Sequence, residues 1–357
     1  MKRNLFRLLV SLAVLAGIFG CDRHNASTTS RPATNADAVM QSAPEFCQRE
    51  PVEQAGALKI AVIPMGGTHE FWKAIHAGAV KAESELTGVE VLWKGPIKED
   101  DREAQVNVMQ NFIDQGVAGI ALAPLDNVAL VRPVRDAVRA GISVVVMDSQ
   151  LEAELCTDYA SFVATNNYVG GCKGARRLGQ VLGGTGNVIL LRCAVGFIST
   201  AQREQGFLGA MGKEYPGIRI VSSDQYGGAT SESAQNKAES LLQRFPHIDG
   251  IFCPNESTTF GMLRALQASG RAGHVKFVGF DSSDKLIAAL AAGELHGLVL
   301  QDPVNIGYQA VKTLAAYLRG VKVKTRIDTG SEVATPENMN EPRIKALLSP
   351  PLDKYLP

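Results

Sequence analysis

From Leu58 onward the chain alternates ten short, almost wholly apolar runs with longer amphipathic stretches. No other feature constrains the fold as much. The first series is LKIAVIPM at 58–65, VEVLWK at 89–94, GIALAPLD at 119–126 and ISVVVMD at 142–148. The second is FVATN at 162–166, NVILLRC at 187–193, IRIVSS at 218–223, IDGIFCPN at 248–255, VKFVGFD at 275–281 and LHGLVLQ at 295–301. Continuous Val/Ile/Leu runs of this kind suit parallel strands buried on both faces. The stretches between them have helical spacing: Phe71, Ile75, Gly78, Ala82 and Leu86 share one face, with Lys73, Lys81 and Glu85 elsewhere. Another reads STTFGMLRALQASG, with Ser257 or Thr258 placed to cap its start and Gly270 to end it. Strand–helix alternation gives an α/β fold with a doubly wound parallel sheet. Ten strands exceed one comfortable sheet, so two sheets of roughly four to six strands each fit better. A chain of 357 residues is also long enough for two lobes. No long linker separates the two series, so the lobes are expected to share crossover strands.

In open α/β sheets a ligand lies beyond the carboxyl ends of the strands. Those ends carry residues 65–71, Asp148, Asn166 and Asn167, Asn255, Asp281 and Gln301. Amides and carboxylates predominate, and a neutral polyol offers hydroxyls that both donate to and accept from such groups. Arg203 supplies a donor fork, and Phe71, Trp72 and Tyr226 supply faces for the C–H patches of a sugar ring. This is a set for recognition, not for bond breaking. Each residue also has a plainer reading. Asp148 and Asp281 can cap the helices that follow them, and Asn167 and Asn255 can form Asx-turns. Phe71 and Trp72 can belong to the core of their helix, Arg203 to a solvated helix face, and Tyr226 and Gln301 to the surface. Their joint occurrence at corresponding ends of a repeated βα pattern favours the ligand.

Lys+Arg and Asp+Glu both number 36, so no strongly basic surface points to nucleic acid and a neutral partner fits better. No G-x-S-x-G, H-E-x-x-H or G-x-x-x-x-G-K-[ST] motif occurs. The glycine-rich segment 183–186 lies between a helix and a strand, the wrong order for a phosphate cradle. The six histidines are scattered; only His69 falls in the expected cleft, where a hydrogen-bonding role suits it. Neither a metal site nor a cofactor is expected, and no enzymatic activity. Cys47, Cys156, Cys172, Cys193 and Cys253 leave an odd count in an oxidising compartment, and their pairing is open. Cys193 and Cys253 each close an apolar run and are expected to be buried thiols.

The first residues read as a targeting segment. Lys2, Arg3 and Arg7 precede a short apolar run over 8–20, too short to span a bilayer comfortably and suited to a signal peptide. It ends at Ile18, Phe19, Gly20 and Cys21, which resembles the bacterial lipobox with a bulkier residue at Phe19. Cys21 is therefore expected to carry lipid, with Asp22 after it favouring the inner membrane. Residues 21–57, rich in Ser, Thr, Ala, Asn and Pro, read as a flexible tether.

Together the motifs are recognisable. HEFW at 69–72, VVVMD at 144–148, ATNNYVGG at 164–171, RxxGF at 203–207, IFCPNE at 251–256, FGMLRAL at 260–266, VGFDSS at 278–283 and LVLQDPVNIG at 298–307 occur in the order seen in ribose-type periplasmic binding proteins. The chain from about 58 to 335 resembles that family, the sugar-binding branch related to the lac repressors. The resemblance implies two Rossmann-like lobes joined by a multi-strand hinge, 58–165 plus 302–329 and 166–301 plus 330–340, with a tail at 341–357. It implies ring stacking by Phe71 and Trp72 and hydroxyl contacts by Asp148, Arg203, Asn255, Asp281 and Gln301. It places His69 where the pattern usually has Asn, Tyr226 where a further aromatic sits, and Asn167 near the first crossover. The implied function is capture of a small sugar outside the cytoplasm, by a monomer, for an ABC permease in the inner membrane. A sensor subunit for a membrane kinase or chemoreceptor is the alternative on the same fold. A repressor is disfavoured because the chain opens with a signal peptide instead of a helix-turn-helix. Ser149 stands where ribose binders often have Arg, so the resemblance does not name the sugar.

Overall fold

The computed structural model describes residues 44–53 and 56–356. The expected signal peptide, Cys21 and most of the expected tether lie outside the described residues. In chain order the strands are β1 (Phe46–Cys47), β2 (Leu58–Ile63), β3 (Val89–Trp93), β4 (Gly119–Leu122), β5 (Ser143–Met147), β6 (Phe162–Ala164) and β7 (Gly186–Arg192). They continue with β8 (Ile218–Tyr226), β9 (Gly250–Phe252), β10 (Lys276–Phe280), β11 (Gly297–Leu300), β12 (Val323–Lys324), β13 (Arg326–Asp328) and β14 (Glu332–Ala334). All ten apolar runs are strands. β1 and β12 to β14 are too short or too polar to have announced themselves.

Two six-stranded sheets result, ordered β13-β6-β5-β4-β2-β3 and β14-β11-β10-β9-β7-β8. The order is the same in both if β2 is matched with β7 and each later strand with its counterpart. Every pairing in the first is parallel, and in the second only β14 runs antiparallel to its neighbour. This is the doubly wound α/β architecture with two lobes. The chain passes between sheets three times: after β6, after β11, and between β13 and β14. The helix after β6, Asn167–Val181, packs on the second sheet, and the helix after β11, Pro303–Leu318, packs on the first.

Two helix pairs are drawn unusually close by reciprocal glycines. A Cβ on Gly78 would lie 1.9 Å from the Val304 carbonyl oxygen, and one on Gly307 2.0 Å from that of Ile75. In the second lobe Gly171 and Gly206 meet the carbonyls of Arg203 and Tyr168 at 1.9 and 2.0 Å in the same way. These contacts fix the helices Glu70–Glu85 and Ile198–Glu214, which carry Phe71, Trp72 and Arg203.

Two local expectations are corrected. The cap of the helix Glu256–Ala268 is Asn255, whose side chain accepts from the Thr258 N–H at 3.3 Å; the Thr258 hydroxyl donates to that same oxygen instead of capping. Gly270 does follow the helix end, with φ +65°. Residues 44–53 are not part of a free tether: β1 pairs with β12, and Cys47, buried, forms a disulfide with Cys156. A two-residue strand has no periodicity to read, so a long-range covalent partner decides its place. At the other end, the helix Pro342–Leu348 buries Ile344 and Leu348 in the second lobe's core, and the turn Leu352–Lys354 rests against the helix Glu70–Glu85.

Candidate functional site

β5 and β10 occupy matching places in the two sheets, and each is followed at once by an aspartate. Asp148 and Asp281 both adopt the left-handed backbone conformation, φ 60° and 67°, uncommon for a residue with a side chain. Strain of this kind persists where surrounding structure holds it, and such places cluster at functional sites. Both aspartates are buried and both line one cleft between the lobes, together with Met65, His69, Phe71, Trp72 and Glu99 from the first. Phe197, Ser199, Thr200, Arg203, Asn255, Glu256 and Gln301 line the rest.

Arg203 organises the second lobe's wall. Its Nε donates to Asn167 Oδ1 at 2.8 Å, its Nη1 donates to the Pro254 carbonyl at 3.0 Å, and its guanidinium lies 4.0 Å over the Phe280 ring. Asp281 stands 3.8 Å away as its counter-ion and accepts from Gln301 Nε2 at 2.7 Å and from the Glu256 N–H at 3.1 Å. Burial pushes the Asp281 carboxyl up, opposed by Arg203 and by these hydrogen bonds. The other side-chain atom of Gln301, Oε1, is buried without a partner.

The first lobe's wall is built on Glu99. It takes the Trp72 indole N–H and pairs with His69 Nδ1 at 2.5 Å. Burial works against a charge on His69, but Glu99, with Glu256 and Asp281 behind it, outweighs burial and raises the imidazole to about 9. His69 sits at the N-cap position of the helix Glu70–Glu85 without capping it, which leaves its ring free for Glu99. Glu256 crosses from the second lobe to the N–H groups of Glu70 and Phe71, at 3.5 and 3.3 Å. Burial lifts its carboxyl to about 7 against the pull of His69. Burial likewise lifts Asp148 to about 7, since Arg203 offsets it only in part and Asp281 and Glu99 add repulsion. The Phe71 and Trp72 rings meet edge to face, 5.0 Å between centroids.

Eight of the ten residues singled out in the sequence thus line one cleft: His69, Phe71, Trp72, Asp148, Arg203, Asn255, Asp281 and Gln301. Asn167 lies behind Arg203 and orients it instead of facing the cleft. Tyr226 is not brought there. It ends β8, the edge strand of its sheet, where the residue is 40% exposed and its ring lies beside Arg192. Glu99, Glu256 and Phe197 were missed. Glu99 sits in an acidic loop, KEDD at 98–101, that reads as solvated, and Glu256 directly follows a strand-end Asn that drew the attention.

One buried apolar cluster joins Met65 and Leu125 of the first lobe to Phe197 and Ala229 of the second, so the lobes are drawn together over the site. A periplasmic binding protein domain model matches residues 60–322. The chain belongs to the periplasmic binding protein family. This periplasmic binding protein is 29% identical over 272 residues to the D-allose-binding periplasmic protein of Escherichia coli, covering 75% of this chain and 86% of that one. It is similar to the carbohydrate transporter solute binding protein of Agrobacterium radiobacter solved in complex with D-arabinose (TM-score 0.78, 32% identity, 83% of this chain and 100% of that one). It is equally similar to the ABC transporter solute binding protein of Agrobacterium vitis with bound D-fucose (TM-score 0.78, 32% identity, 82% and 100%). Membership places the folded part outside the cytoplasm, and the family is one of binding proteins, not enzymes. Among the described residues no helix is long and apolar enough to cross a membrane.

Proposed function

We propose that the cleft takes up one monosaccharide, a pentose or a hexose, and that the closed protein delivers it to the permease of an ABC importer. The observation that carries this reading is the pair of left-handed aspartates, one from each lobe, aimed into one small cleft. A ligand that bridges them favours the closed arrangement by its differential affinity for it. Asp148, Arg203, Asn255, Asp281 and Gln301 hold the hydroxyls, His69 adds a hydrogen bond, and Phe71 and Trp72 cover an apolar face of the ring. Asn167 holds Arg203 in place. The lobes comprise 58–165 plus 302–329 and 166–301 plus 330–340, and opening occurs about the three crossings between them. Residues 1–20 serve as a signal peptide, and Cys21, acylated, anchors a monomer to the inner membrane.

A thermal-shift screen of the purified protein against pentoses, hexoses and deoxysugars tests this. A ligand bound only by the folded state raises stability by RT ln(1 + [L]/Kd), about 4 kcal/mol at a thousandfold excess over Kd. A large shift with one sugar and none with its epimers is the expected result. Folded, ligand-free protein that responds to no sugar contradicts it.

A further inference from the structure

The carboxylates of the cleft are not equally provided for. Glu99 holds His69 and Trp72; Asp281 holds Gln301, the Glu256 N–H and Arg203; Glu256 faces the first N–H groups of the helix Glu70–Glu85. Asp148 has no side-chain hydrogen bond or ion pair among the described residues, although it is only 4% exposed and lines the cleft. Arg203 gives its Nε to Asn167 and its Nη1 to Pro254, and its ion pair is with Asp281. The second unmatched group is Gln301 Oε1, from the other lobe's sheet and also buried. Both are acceptors, so the ligand must present donors to each.

Hydroxyls donate as well as ammonium groups do. Charge decides between them. Four carboxylates, Glu99, Asp148, Glu256 and Asp281, face two cations, Arg203 and His69. A neutral ligand that seals the cleft leaves Asp148 with only the charge of Arg203, already paired with Asp281, to offset its own, which is costly. A primary ammonium brings the missing charge and three donors. The upward displacement of Asp148 toward about 7 comes first from burial, which Arg203 offsets only in part while Asp281 and Glu99 add repulsion.

We propose that the ligand of this cleft is an amine-bearing polyol, an amino sugar or aminocyclitol, whose ammonium group pairs with Asp148. The inference rests on the sugar-site reading above and narrows it. The balance of 36 basic and 36 acidic residues over the whole chain conceals this local excess of acid.

Titration calorimetry at neutral pH tests it with D-glucosamine, D-galactosamine, D-mannosamine and an inosamine, each beside its neutral parent. At least one amine is expected to bind about tenfold or more tightly than its parent. Asp148→Asn, which keeps shape and removes charge, is expected to collapse that ratio toward unity in protein whose circular dichroism shows it folded. Tight binding of neutral sugars with no preference for any amine overturns the inference and leaves the sugar site standing. A preference that survives Asp148→Asn overturns the assignment to Asp148. Folded, ligand-free protein that binds neither set overturns both readings.

Discussion

Arg203 carries the densest set of contacts in the cleft, and its loss would leave Asn167 Oδ1 and the Pro254 carbonyl unpaired and Asp281 without its counter-ion. Arg203→Ala is therefore expected to weaken sugar binding by about 2 kcal/mol or more, read by calorimetry. An unchanged affinity contradicts its place in the site. The acids make a second prediction. Asp148 and Glu256 have folded-state values near 7, above their ordinary 3.8 and 4.5, so the folded protein keeps protons that the unfolded chain has released. Their contribution to stability is then complete at low pH and is lost as pH rises from about 4 through about 7. Asp148→Asn removes its share, on the order of a few kcal/mol, and flattens that fall in denaturant melts of ligand-free protein. A slope identical to wild type contradicts the burial of an unpaired carboxylate. Asp148, Asp281, Asn255 and Gln301 were legible in the sequence because a polar residue ending an apolar run must lie at the sheet's carboxyl edge. Glu99 and Glu256 were not, because nothing in an acidic loop or a helix's first turn distinguishes a solvated carboxylate from one folded inward.

The elements were the most legible part of the chain. Each apolar run is a strand because both faces of these sheets are covered by helices, so no polar alternation interrupts the signal. β12 to β14 escaped notice because the chain there pairs along sheet edges with partly exposed residues. The close helix pairs were visible only as unexplained glycines. Gly171→Ala places a methyl group against the Arg203 carbonyl and forces its helix away from Ile198–Glu214. A loss of about 3 kcal/mol in urea unfolding is expected, with weakened sugar binding because Arg203 moves with its helix. Wild-type stability and affinity together contradict the account. The turn Leu352–Lys354, resting on the helix that carries Phe71 and Trp72, lies past the residues that the sequence resemblance covers; only packing reveals it.

At the scale of the molecule, two near-equivalent sheets place their carboxyl edges face to face, and three chain crossings hold them as a hinge. The Cys47–Cys156 disulfide ties the residues before the first lobe back onto it across a sequence separation of 109. Replacing both cysteines with serine is expected to cost about 2–4 kcal/mol of stability while sugar affinity stays near wild type, as thermal melts and calorimetry would show. A large loss of affinity in folded protein contradicts the separation of this tie from the site. One sugar is expected to sit between the two aspartates, with the lobes closed on it. A crystal structure grown with the ligand of the largest thermal shift tests that most directly. It should show one molecule with donor atoms about 2.7–3.2 Å from Asp148 and Gln301 Oε1 and an acceptor near Arg203. A ligand seated elsewhere, with Asp148 and Gln301 Oε1 still unpartnered, contradicts it.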